Sequence, residues 1–243
     1  MSKVFVKTIS AASLVLALGV VSFGGAAHAV TLGQVAQIAQ NATPAAFNAV
    51  ELAASRDADS HVSQWNRVKV ALNKEMPVLR NCLQAETQCG TEALKVWRQM
   101  MVRAAKSDEA NRLNMVNSFF NQWSYISDSE NYGVSEYWAS PLEFMSKGGD
   151  CEDFAIAKYA SLQLLGYGDQ AMRIIAVMDT SRGGMGHAVL SVQTRAGNVV
   201  LDNRSTIVYG GSQQTAYVPR FSVNMAGVYT YAQQPRVMMA SAY

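Results

Sequence analysis

Cys151 stands in the run Gly149-Asp150-Cys151-Glu152-Asp153-Phe154-Ala155, at the start of a stretch that reads as an amphipathic helix. His187 opens a strand-like segment well downstream, and Asp202 closes the next one. Cysteine, histidine and aspartate in that order are the components of a thiol acyl-transfer site. The thiolate attacks a carbonyl, the imidazole moves protons, and the carboxylate orients the imidazole. The other histidines are poorer candidates: His28 falls in a leader-like segment, and His61 in a polar helical region far from any nucleophile motif.

Asp150 reads as a helix N-cap, which puts Cys151 in the first turn, near the positive end of the helix dipole. That position and a protonated His187 both favour the thiolate. The Cys151 backbone N–H is the expected first donor of an oxyanion hole, with Trp138 and its loop as candidates for the second. Strand geometry makes the third member testable. Side chains alternate along a strand, so His187, Val189 and Ser191 share a face. If Thr194 to Gly197 form a four-residue turn, Asp202 falls opposite Val189 on that face, roughly 7 Å along the strand from His187. A three-residue turn would put it on the other face.

The acidic flank works against the thiol. Helix capping and dipole complementarity account for acids in a first turn, yet Asp150, Glu152 and Asp153 surround Cys151 with like charge that raises a thiol pKa. A bound Ca²⁺ would offset that field, because a hard cation prefers carboxylate and carbonyl oxygens. Three acids are too few for a complete site, and the spacing is not that of an EF-hand. Backbone oxygens from another loop are expected to contribute.

The elements that must position these groups follow from periodicity. Thr31 to about Ile126 reads mostly helical: Glu92 to Lys106 has few breakers, and Leu113, Val116, Phe119, Phe120 and Trp123 recur at helical spacing after a start at Asp108-Glu109. That aromatic stripe is best read as core. A Tyr-, Ser- and Gly-rich loop follows from Ser127 to Gly149, a candidate wall for a cleft. The Cys151 helix runs to Leu165, with Phe154, Ala157, Leu162 and Leu165 near one face, and Gly166 ends it. Met172 to Met178, His187 to Thr194 and Asn198 to Asp202 then read as strands, with Tyr217 to Val223 and Gly227 to Tyr231 as further ones. Helices followed by a mostly antiparallel sheet is an α+β arrangement.

The first residues look like a secretory leader. Lys3 and Lys7 precede the apolar stretch Ala11 to Val21, and Ala27-His28-Ala29 offers a small-x-small cleavage pattern. Residues 1–29 are therefore expected to be removed, leaving a soluble exported chain of about 214 residues, with a bacterial periplasm as its destination. That chain carries 18 basic and 18 acidic groups, which excludes a nucleic-acid footprint built on basic excess. In an oxidising compartment Cys82 and Cys89 are close enough in sequence to pair. Cys151 is then the odd thiol, either buried and inert or used.

Gly149-Asp-Cys-Glu-Asp-Phe-Ala-Ile-Ala-Lys-Tyr, Gly186-His-Ala-Val-Leu and Val200-Leu-Asp-Asn-Arg resemble the bacterial transglutaminase-like cysteine proteinases. Tyr125-Ile-Ser-Asp, Tyr132-Gly-Val and Tyr137-Trp-Ala-Ser-Pro-Leu-Glu add to that resemblance, which runs from about residue 75 to the C-terminus. The resemblance implies a papain- or transglutaminase-like fold, with N-terminal helices over about 30–148 and the catalytic helix and sheet over about 149–243. It implies Cys151 as nucleophile, His187 as general base and Asp202 as orienting acid. It also implies calcium held by Asp150, Glu152 and Asp153. By the same resemblance the substrate is a large surface adhesin, cut near its N-terminus at an Ala-Ala-type site to disperse biofilm. An inner-membrane cyclic di-GMP receptor is the regulating partner. Two other readings stay open on the residues alone: acyl transfer to an amine by the same three groups, and a periplasmic binding module with a structural Cys151.

Overall fold

The structure, a computed structural model, describes residues 50–52 and 59–232, with side chains over 63–231. The leader expected over 1–29 and the side chain of His61 lie outside the described residues. Among the described residues, three long helices precede the main part of the sheet: α1 (Asp59–Gln84), α2 (Glu92–Ala105) and α3 (Glu109–Phe120). Their starts follow from capping chemistry. Thr91 accepts from Leu94 N–H at 3.2 Å and Asp108 from Asn111 N–H at 2.8 Å, each satisfying an otherwise orphaned donor. α3 ends at Phe120, so Trp123 packs from beyond the helix, against Phe119 and Phe144.

A Cys82–Cys89 disulfide ties the last turns of α1 to the turn that leads into α2. Replacing both cysteines with serine should lower stability by ~2–3 kcal/mol, because the short loop is then free to open in the unfolded chain. A denaturant titration would show it as an earlier midpoint.

The stretch expected as an open loop contains two short helices, α4 (Asp128–Asn131) and α5 (Pro141–Lys147). α5 is nucleated by a capping box: Ser140 Oγ accepts from Glu143 N–H, the Glu143 carboxylate accepts from Ser140 N–H, and Pro141 occupies the first turn. The next helix, α6 (Cys151–Leu164), is buried almost all round from Glu152 to Leu162 instead of along one face. It lies between α3 and α5 on one side and the sheet on the other. Gly166 follows with φ +93, the left-handed residue expected just past a helix end.

Among the described residues, seven strands form one antiparallel sheet in the order β1-β7-β6-β2-β3-β4-β5. They are β1 (Val50–Leu52), β2 (Met172–Asp179), β3 (Met185–Thr194), β4 (Gly197–Leu201), β5 (Tyr209–Gly210), β6 (Tyr217–Asn224) and β7 (Gly227–Ala232). β1 falls in a region read as helical and pairs with β7, which lends it an edge to add to. β5 was not legible at all. The α+β class holds.

On β3, Leu190 and Val192 join the main core with Phe154, Ile156 and Leu162 of α6, while Val189 joins Ile175, Val177 and Val200 in a second cluster. β3 and β4 pair with Thr194 opposite Gly197 and Leu190 opposite Leu201. This is the four-residue turn that keeps Asp202 in phase with His187.

Candidate active site

His187 is the third residue of β3, and Asp202 lies one residue past β4. His187 Nε2 meets Asp202 Oδ1 at 2.8 Å, with both side chains almost fully buried. The other carboxylate oxygen, Oδ2, accepts from Tyr217 Oη at 2.7 Å and Tyr209 Oη at 2.9 Å, and Oδ1 also accepts from Arg204 N–H at 2.9 Å. Burial works against the Asp202 charge, but the donated hydrogen bonds and the imidazole prevail and hold its pKa well below the usual carboxylate range. The Tyr217 ring also packs edge-on against His187 at 5.6 Å. Neither tyrosine was legible as a site residue, since one sits on a two-residue strand and the other at a strand start.

With Nε2 committed to Asp202, Nδ1 is the nitrogen left over, and it is buried with no hydrogen-bond partner. His187 and Cys151 line one cleft of about 300 Å³, with Tyr125, Trp138 and Phe221 as its aromatic walls. Cys151 opens α6 directly after Asp150, which takes the extended N-cap conformation. The thiol accepts from Ala188 N–H, beside His187 on β3, and donates to Glu152 Oε2 at 3.2 Å. Burial, then the Glu152 and Asp150 carboxylates, push the thiol well above its ordinary pKa. Left to these neighbours, the thiol stays protonated. Trp138 lines the cleft, but its indole N–H donates to Glu136 Oε1 at 2.7 Å.

The acids around Cys151 are more numerous than the local run shows. Among the described residues, Asp128, Asp150 and Asp153 form one group of potential cation ligands, and Asp128, Glu136 and Glu152 form another. Asp150, Cys151 and Glu152 form a third, with candidate ligand atoms in each group within 4.8 Å of one another. The residues Asp150, Glu152 and Asp153 do not make a group by themselves: Asp128, from the start of α4, joins them. Backbone oxygens were expected from a second loop, and that loop also brings the carboxylates of Asp128 and Glu136.

The electrostatics of this cluster favour a cation. Burial pushes Asp153 up to about 8 and Asp128 up to about 6, with neighbouring acids adding to the rise. Burial and then the Glu136 charge raise Asp150, while burial and then the Asp150 charge raise Glu152. Asp128 Oδ1 and Asp150 Oδ1 are buried without hydrogen-bond partners. Two orphaned carboxylate oxygens in one acidic cluster are the arrangement that a hard, oxygen-preferring cation satisfies.

Gly148 and Gly149 bring the two halves of this cluster together. Gly148 has φ +77, and a Cβ there would lie 2.6 Å from the Ser124 carbonyl oxygen. Gly149 pairs with Tyr125 and accepts from Ile126 N–H at 2.9 Å, which draws the α4 segment against the α6 N-terminus.

Three solved structures of Legionella pneumophila LapG resemble this chain. The calcium-bound form is 29% identical, with a TM-score of 0.53 over 64% of this chain and 87% of that one. The EGTA-treated form is 30% identical, with a TM-score of 0.53 over 67% and 86%. No curated protein matches the chain. The family model for bacterial transglutaminase-like cysteine proteinases matches residues 70–235, which include the Cys151 helix and the strands β2 to β7. The chain belongs to the bacterial transglutaminase-like cysteine proteinases.

Proposed function

We propose that the chain is a calcium-dependent cysteine endopeptidase of the periplasm, with Cys151, His187 and Asp202 as its catalytic triad. The single observation that carries this reading is the 2.8 Å His187–Asp202 contact, which leaves Nδ1 unpartnered in the cleft that Cys151 also lines. His187 Nδ1 takes the thiol proton as Cys151 Sγ bonds to the substrate carbonyl carbon. The same proton then goes to the leaving amine nitrogen as the peptide C–N bond breaks, leaving a thioester on Cys151. Water attacks the thioester, His187 takes its proton, and the carboxylic acid departs as the thiol is restored. The Cys151 backbone N–H stabilises the oxyanion in both halves. Asp202, held by two tyrosines, keeps the imidazole with its proton on Nε2 and its lone pair on Nδ1.

Asp128, Glu136, Asp150, Glu152 and Asp153 would hold the calcium. When bound it supplies positive charge beside Cys151, which offsets the carboxylates and lowers the cost of the thiolate. The calcium-bound and EGTA-treated LapG structures support this assignment. We also propose, on the resemblance of the motifs around Cys151, His187 and Asp202 to the family, a large cell-surface adhesin as substrate, cleaved near its N-terminus, and an inner-membrane cyclic di-GMP receptor as regulator.

The reading is tested by incubating the protein with an adhesin N-terminal fragment, with calcium and then with EGTA. Two fragments whose masses sum to the substrate plus water support it, and an intact substrate under both conditions contradicts it. Asp202→Asn should lower the cleavage rate on the order of 10³- to 10⁴-fold, because an amide no longer fixes the tautomer. It should also remove a pH-dependent part of stability. The folded-state pKa of Asp202 is depressed, so its contribution is present above the ordinary carboxylate range and is lost as pH falls below it. Thermal melts of wild type and variant should therefore converge in acid.

A further inference from the structure

Lys158 lies on α6 two turns beyond Cys151, is 1% exposed, and has no part in the chemistry above. Lysine is among the residues least often buried, and burial here pulls its pKa down to about 7. Its Nζ donates to Asn117 Oδ1 at 2.8 Å. Asn117, fully buried on α3, in turn donates from Nδ2 to the Ser205 carbonyl at 2.8 Å. Asn121, at the C-terminal end of α3, donates to that carbonyl at 2.8 Å and to the Asp202 carbonyl at 2.9 Å. The backbone turn that carries Asp202 is therefore gripped by two side chains of α3, and one of these is oriented by Lys158. The charge that acts on Lys158 is that of Asp202 itself.

A methionine would fill the same space without taking an amine out of water, but it would leave the buried Asn117 Oδ1 without its donor. Part of what the lysine contributes is therefore this bond. Its placement gives it a further role. Cys151 and Lys158 share a helix, so a link from Lys158 to the Asp202 turn fixes the acid and the nucleophile to one rigid element.

We propose that Lys158 is a positioning residue for the reaction: by orienting Asn117 it sets where the Asp202–Ser205 turn, and with it the His187–Asp202 pair, stands relative to Cys151. This rests on the triad reading above. It requires the Lys158 amine as a hydrogen-bond donor, so Lys158→Met should break the link and Lys158→Gln, which keeps an N–H donor, should largely restore it.

The test reads three quantities in calcium-containing buffer: melting temperature, the rate of Cys151 alkylation by iodoacetamide, and the NMR signal of the His187 Nε2 proton. Lys158→Met should stay folded with its melting temperature lowered by a few degrees, because Asn117 Oδ1 loses its donor. It should nonetheless label on the order of 10- to 100-fold more slowly, since small misplacement of reacting groups costs that much. Its His187 proton signal should broaden or vanish, and Lys158→Gln should recover most of both. Wild-type labelling and a sharp proton signal in Lys158→Met would overturn the proposal. So would loss of the fold in both variants, which would make Lys158 a packing residue only. A wild-type thiol that resists labelling overturns the triad, and this inference with it. Labelling as expected, but no cutting of an adhesin fragment, removes the substrate reading alone and leaves the role of Lys158 supported.

Discussion

Cys151→Ala should reduce adhesin cleavage to background, a loss on the order of 10⁵- to 10⁶-fold, while the protein keeps its fold. In the proposed reaction the sulfur is the atom that bonds to substrate, and no other thiol is free: Cys82 and Cys89 are joined. Structural damage should be slight, because the residue removed is small and half-buried and gives up one thiol hydrogen bond, to Glu152. His187→Ala should be about as severe, and the double variant no worse than either single one, since groups that act as a unit are not additive. Circular dichroism and melting curves near wild type, beside absent product, are the expected pair of results. Residual cleavage in Cys151→Ala, or a double variant far worse than the singles, would show that the two residues do not act together.

Calcium should raise the melting temperature of the wild-type protein by about 5–10 °C when present at about 100 times its dissociation constant. The effect should depend on pH in a direction fixed by the acidic cluster. In the chelated protein Asp153 is pushed up to about 8 and Asp128 up to about 6, both above the ordinary carboxylate value near 4. The folded state then holds more protons than the unfolded one between these limits. By linkage the chelated protein loses stability as pH rises from about 4 through about 8. Calcium needs the ionised oxygens, so its stabilising increment grows over the same interval, and binding releases protons.

Melting curves at pH 6 and pH 8, with calcium and with EGTA, should show a larger calcium shift at the higher pH. Asp128→Asn and Glu152→Gln should each reduce it. An equal shift at both pH values, or one that Asp128→Asn leaves unchanged, would place the ion elsewhere.

Much of the fold was legible because its signals are local. Asp108 and Gly166 mark helix ends through their own backbone chemistry. Alternation along β3 required an even-numbered Thr194–Gly197 turn to put Asp202 on the face of His187, and the structure forms that turn. What escaped was set by tertiary context. β5 is two residues long and exists because β4 offers it an edge. α5 was missed although Ser140, Pro141 and Glu143 spell a capping box, because Tyr, Ser and Gly dominate the surrounding stretch. α6 was read as one-sided, yet it is enclosed by α3, α5 and the sheet, and small residues at Ala155, Ala157 and Ala160 fit that enclosure. Asp128 and Glu136 were invisible as members of the acidic cluster for the same kind of reason: they lie apart from Cys151 in sequence and meet it only in the folded chain. Lys158 reads in sequence as an ordinary polar position on a helix, and only its burial shows otherwise.

The most direct measurement is the rate of Cys151 alkylation followed by intact-protein mass spectrometry, for wild type and His187→Ala, with calcium and with EGTA. A nucleophile activated by His187 and relieved of its acidic field by calcium gives a single adduct on Cys151 in the wild type. Chelation should slow that adduct, and His187→Ala should slow it by about tenfold or more near neutral pH. Equal rates in wild type and His187→Ala, or no adduct without denaturant, would contradict a catalytic Cys151.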